Sequence, residues 1–170
     1  MLVAALAMLV PAADASAAGC ANANVVPKRG NAAQVRGATL CLLNQQRAGH
    51  GLSRVRGDAK LRRAATRHSR DMVRRGYFAH VAPGGQTMIH RAKEVRYLTA
   101  RASWFLAENL AYGQGRLATP ASIVKQWMNS PPHRANILDP RARDVGVGIA
   151  LGSPVGGRGA TYTLNFGRLS

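Results

Sequence analysis

Apolar positions along this chain follow two rhythms, a helical one through most of its length and a period of two near its end. From Val35 to about Gly49, Leu40, Leu43 and the alanines recur at helical spacing, and Gly49 and Gly51 close that helix. Asp58 reads as an N-cap. Leu61, Ala64, Ala65, His68, Met72 and Val73 then trace one apolar stripe as far as Gly76. A loop from Tyr77 to Gly85 holds Phe78, His80, Pro83 and two glycines, and a short helix is predicted from about Gln86 to Val95. Phe105 to Tyr112 reads as a strand. Thr119-Pro120 opens a further helix whose apolar face is Ile123, Val124, Trp127 and Met128. Ser130-Pro131-Pro132 breaks it, and His133 to Leu138 supplies one or two more turns. The rhythm then changes. Val145 to Leu151 and Ala160 to Phe166 alternate, and the glycine-rich stretch Gly152 to Gly159 joins them as an antiparallel hairpin. Helices first and a hairpin last predict an α+β domain.

Composition narrows this without changing it. A chain of 170 residues, 46% of them apolar, fits one domain with a real core. The formal charge is +17, yet only Lys28, Lys60, Lys93 and Lys125 among 24 basic residues are lysines, a skew that codon composition also produces. What remains is physical: such a surface concentrates anionic partners in a salt-sensitive way. Met1 to Val10 is a short apolar run leading through Pro11 to small residues, so residues 1–18 read as a secretory signal. No stretch is long and apolar enough to span a bilayer. Residues 19–35 read as an extended tail and 36–170 as the folded domain. Cys20 and Cys41, an even count in an exported chain, predict one disulfide pinning the tail to the first helix. The rival, a lipid-bearing Cys20, would leave Cys41 unpaired.

Three residues could carry chemistry. His80 follows an aromatic pair in a loop, Glu108 sits in an apolar stretch where a lone carboxylate is costly to desolvate, and His133 opens a helical turn. Two imidazoles and a carboxylate suit a divalent metal such as zinc, with His80 and His133 as its ligands, or acid–base work near neutral pH. Ser130 stands three residues before His133 and is a candidate nucleophile beside Glu108 as candidate base. Other features read structurally. His68 belongs to the stripe of its helix, Trp127 to the core, and Asn109 and Asn136 to backbone hydrogen bonding in turns. Arg63, Arg67, Arg70 and Arg74 share the far face of the His68 helix and read as a solvated surface. They lack interleaved aromatics, so no specific nucleic-acid binding is expected. Gly146-Val147-Gly148 precedes no helix, and neither a Gly-x-Ser-x-Gly elbow nor a His-Glu-x-x-His helix is present.

Read together, six ordered motifs resemble the CAP superfamily of cysteine-rich secretory, venom-allergen and plant pathogenesis-related proteins, and its bacterial secreted branch in particular. They are Leu42-Leu43-Asn44-Gln45-Gln46-Arg47; Ala65 to Met72; Tyr77-Phe78-Ala79-His80 with Pro83-Gly84-Gly85; Ala107-Glu108-Asn109-Leu110-Ala111-Tyr112-Gly113; Trp127 to Leu138; and Val145-Gly146-Val147-Gly148. The resemblance implies an α/β/α sandwich with a central antiparallel sheet and a cleft lined by His80, Glu108, Ser130 and His133. Eukaryotic relatives carry a second acid where this chain has Ser130, so a mechanism needing two carboxylates does not transfer. The implied function is that of a secreted, monomeric binding module for anionic lipid, cell-wall polymer or a protein partner. The alternative is a metal-assisted or Ser/His hydrolase in the same cleft.

Overall fold

A computed structural model of the chain describes residues 19–99 and 103–170. The leader expected over residues 1–18 lies outside the described residues. Helix α1 spans Ala32–Ala48. It starts a turn earlier than its apolar spacing indicates, because Ala32, Ala33 and Gln34 are helix formers that add nothing to the apolar rhythm. The tail therefore ends at Asn31. Helix α2 spans Ala59–Arg75; the Asp58 carboxylate accepts from the Leu61 amide at 2.7 Å, and Gly76, left-handed at φ 66°, ends it. Helix α3, Met88–Glu94, is shorter than predicted at its start, because Thr87 and His90 close a capping box there. Helix α4, Pro120–Met128, begins at the expected Thr119 cap. Helix α5, Pro131–Ile137, corrects the reading of the two prolines. They form its first turn, where a helix has no use for their missing N–H.

Four strands make one sheet: β1 (Arg56–Gly57), β2 (Trp104–Gly113), β3 (Asp144–Leu151) and β4 (Ala160–Leu169), in the order β1-β3-β4-β2. The three long strands are antiparallel, with the predicted hairpin at their centre. β1 is a two-residue parallel addition through Arg56↔Asp144 and Gly57↔Val145. It was invisible in the sequence, since two exposed residues carry no periodic signal.

The sheet separates two cores. Val35 and Leu43 of α1, Ile123 and Trp127 of α4 and Ile137 of α5 pack on Tyr162, Leu164 and Phe166 of β4. Trp127 is fully buried and donates its indole N–H to the Leu110 carbonyl at 3.0 Å. On the other face, Leu61 and Ala64 of α2 join Ala92, Val95 and Tyr97. There α2 lies almost on the backbone of β3. A Cβ on Gly146 would fall 2.2 Å from the Leu61 carbonyl carbon, and one on Gly148 the same distance from that of Ala65. Gly-Val-Gly is a packing device. The resulting helix–sheet–helix order is the implied sandwich. Cys20 and Cys41 are bonded, their Cα atoms 5.8 Å apart, so the tail is fixed to α1 and no thiol remains on Cys20 for a lipid.

Candidate functional site

The site forms along β2, the last strand on its side of the sheet. Alternation turns Glu108 toward the α2/α3 layer and Asn109 toward the other. Glu108 is met there by Arg91 of α3, which places Nη2 at 3.1 Å from Oε1 and 2.8 Å from Oε2. Both side chains are almost fully buried, at 3% and 4% exposure, so each charge depends on the other. His80 Nδ1 donates to Glu108 Oε1 at 2.9 Å, while the ring stays 57% exposed. This bond fixes the imidazole and leaves Nε2 free to meet a ligand.

The His80 loop is held at four points. Tyr77 donates its hydroxyl to Asp71 at 2.7 Å, and His68 Nε2 meets the Ala79 carbonyl at 3.0 Å. Arg91 Nη2 donates to the His80 carbonyl at 3.1 Å, and Arg75 to that of Pro83 at 2.9 Å. Burial pushes the Asp71 carboxyl up, but the hydrogen bonds from Tyr77 and Arg74 outweigh it and hold the group below the usual carboxylate range. Burial holds the His68 imidazole below its ordinary value; Arg91 adds to this, while Glu108, the Ala79 carbonyl and Asp71 oppose it. His68 is thus the core residue its stripe predicts, and also the post on which the His80 loop rests.

On the opposite face α5 closes the β2 edge. Asn109 Nδ2 donates to the His133 carbonyl at 2.9 Å, and Asn136 Nδ2 donates to the Glu108 carbonyl at 3.3 Å and to Asn109 Oδ1 at 2.8 Å. The two asparagines sit in a strand and a helix, where turns had been expected. Together they set the position of His133. Burial first, and then the charge of His80, keeps His133 below its ordinary value, so the two imidazoles lie near enough to sense each other.

The structure therefore joins His80 to Glu108 directly and ties the His133 backbone to β2 through Asn109. Ser130 is the N-cap of α5 and lines a neighbouring depression with Tyr112, Gln114, Leu117 and Lys125. Among the described residues no hydrogen bond joins Ser130 to His133, and no group of three or more His, Cys, Asp and Glu side chains is arranged to hold a metal ion. The residue that sequence reasoning missed is Arg91. One buried arginine carries no mark in a chain with 24 basic residues.

Comparison with known proteins identifies the family and the fold. The model of the cysteine-rich secretory protein family, CAP, matches residues 40–166. The uncharacterized protein YkwD of Bacillus subtilis is 38% identical over 109 residues, covering 63% of this chain and 39% of that protein. The chain thus spans about two-fifths of that curated relative. An outer surface protein of Borrelia burgdorferi has a similar fold, with a TM-score of 0.70 at 16% identity, over 85% of this chain and 99% of its own. An extracellular protein containing a SCP domain, from Bacillus anthracis, matches at a TM-score of 0.62 and 24% identity, over 82% of this chain and 44% of its own.

Proposed function

The chain belongs to the cysteine-rich secretory protein family, CAP, and from that premise we propose that it is an exported binding module whose His80–His133 cleft receives an anionic group of a cell-surface ligand. The single observation behind this reading is the state of Glu108. Both of its oxygens face Arg91 and one also holds His80, so the carboxylate is spent on positioning. What remains for a ligand is the half-exposed His80 ring and, in this reading, His133 beside it. No Asp or Glu occurs in residues 109–138, the span that forms the α5 wall, so the local field favours an anion. Export is supported by the disulfide and by the extracellular and outer-surface proteins that share the fold. Among the described residues no helix is long and apolar enough to cross a membrane.

The test is calorimetric titration of the chain from Gly19 with short glycerol phosphate oligomers, a wall-polymer fragment. His80→Ala and His133→Ala should each weaken binding at least tenfold. Unchanged affinity in both would refute the cleft as the binding site.

A second reading, a divalent cation, draws on the His80–Glu108 bond. A carboxylate on Nδ1 of a metal-binding histidine is the usual outer support of such a ligand. His133, held neutral, is in its metal-binding form. In this reading His80 and His133 would be the ligands, with Glu108 orienting His80. Zinc there would act as a Lewis acid on bound water. Calorimetry with zinc decides it: uptake lost in both histidine variants supports the site, and no uptake removes it. The hydrolase alternative needs Glu108 as a base or Ser130 activated by His133. The Arg91 pair speaks against the first, and the lack, among the described residues, of a hydrogen bond between Ser130 and His133 against the second. Peptide and ester turnover that is absent, or that persists in Glu108→Ala, would end the Glu108 version.

A further inference from the structure

The end of the sheet where Gly113, Ala160 and Leu151 stand in register carries features that the cleft does not use. Two loops project there, the 3₁₀ turn Gly115–Ala118 and the hairpin loop 152–159. The largest exposed apolar side chains among the described residues, by fraction, are Leu117 and Val155, each at 69%, and they sit one on each loop; Leu151 beside them is 44% exposed. Single exposed leucines are common on soluble proteins. Here the two loops are packed together and braced from behind. A Cβ on Gly157 would touch the Gln114 side chain, Thr161 donates to the Gly152 carbonyl at 2.9 Å, and Tyr162 donates to that of Ala118 at 2.8 Å. The apolar tips are held out by a rigid frame.

Charge surrounds them with one sign. Arg116 and Arg158 are exposed on the same loops. The C-terminal end of α2 abuts the hairpin, with Val73 against Gly152 and Gly76 against the Pro154 carbonyl. Between α2, the α1 entry and β3 lies a cavity of about 370 Å³, lined by Lys28, Arg29, Arg70 and Arg74 around Val73 and Ile149. No Asp or Glu occurs in residues 145–170 or 109–138. The acid of α2 between Arg70 and Arg74, Asp71, is already taken by Arg74, Arg75 and Tyr77. A protein partner would be expected to meet a rim of mixed sign. Apolar tips within a purely cationic ring match the layering of an anionic bilayer, phosphates outside and acyl chains beneath.

We propose that this end face docks on anionic phospholipid membranes: Leu117 and Val155 enter the acyl boundary, Arg116 and Arg158 meet lipid phosphates, and the Lys28–Arg29–Arg70 cavity takes one headgroup. The assignment rests on residues outside the His80–His133 pair and stands or falls separately from the cleft reading.

Cosedimentation with large vesicles tests it, using the chain from Gly19, which carries every element of the fold, with its disulfide intact. Vesicles of phosphatidylglycerol and phosphatidylcholine at about 3:7, anionic enough for each arginine to count, should bind the protein, and vesicles of phosphatidylcholine alone should not. The double variant Leu117→Ser, Val155→Ser should lose at least tenfold in partitioning at both low and high salt. Arg116→Gln, Arg158→Gln should lose about fivefold per arginine at low salt and little at high salt. No binding of the parent, or parent-like binding of the Leu117/Val155 variant, overturns the proposal. The latter result leaves only adsorption of a basic surface.

Discussion

At the scale of single residues, the site depends on one buried ion pair. Glu108 was legible in the sequence because an acid in an apolar run must find a partner. The partner was not, because Arg91 is one arginine among many and lies on a helix too short to show a face. Removing only the arginine strands a buried carboxylate, so Arg91→Gln should cost about 3–5 kcal/mol in urea unfolding. Glu108→Gln, Arg91→Gln together should cost less than the two single changes summed. Additive losses would mean that the pair is not the coupled unit its geometry describes. His68 gives a second expectation. Burial lowers its folded-state affinity for a proton, and that of His133, so the unfolded chain binds more protons as pH falls. Stability is therefore complete above the ordinary imidazole value of about 6.5 and declines below it. Asp71 and Asp139 are shifted downward, so their contribution is lost only below the ordinary carboxylate range. Between about pH 6.5 and 4.5 the imidazoles dominate, and the slope of unfolding free energy against pH should flatten in His68→Gln. An unchanged slope would show that His68 charges freely in the folded state.

At the scale of elements, what the chain's own rhythm could show was visible, and what depended on a neighbour was not. Every long helix and strand was foreseen, because each buries one regular face. The first turn of α1 was missed because it adds nothing to that rhythm. β1 was missed because its existence depends on β3 lying beside it. Gly146 and Gly148 illustrate the same limit: alternation placed them in a strand, but only the approach of α2 explains why neither has a side chain. Gly148→Ala puts a methyl group against the Ala65 backbone, which cannot rotate aside. The helix must lift from the sheet, at a cost of about 3 kcal/mol. For a domain of this size that is a fall in Tm of roughly 6–12 °C. Gly37→Ala, on the exposed side of α1 where a Cβ meets nothing within 4 Å, should cost clearly less. Equal losses at the two positions would show that close helix–sheet contact is not what Gly148 permits.

At the scale of the whole molecule, the three family motifs that hold His80, Glu108 and His133 meet along β2. The tail that precedes them is tied down covalently. Cys20 precedes the matched region and Cys41 lies just inside it, so the bond fastens to α1 a segment that lies outside that region. Closing a loop of 21 residues restrains the unfolded chain by about 3 kcal/mol in the chain-entropy model. The folded cleft draws on none of this, since His80, Glu108, His133 and their supports are held by α2, α3, α5 and β2. Cys20→Ser, Cys41→Ser should therefore lower unfolding free energy by about 3 kcal/mol while leaving cleft affinity within twofold of the parent. The tail also carries Lys28 and Arg29 to the rim of the end-face cavity. Vesicle partitioning should then fall in the same variant, although the cleft is untouched. If cleft affinity fell in step with stability, the tail would be part of the cleft's support. If neither binding function moved, the disulfide would serve stability alone, and Lys28 and Arg29 would hold their places without it.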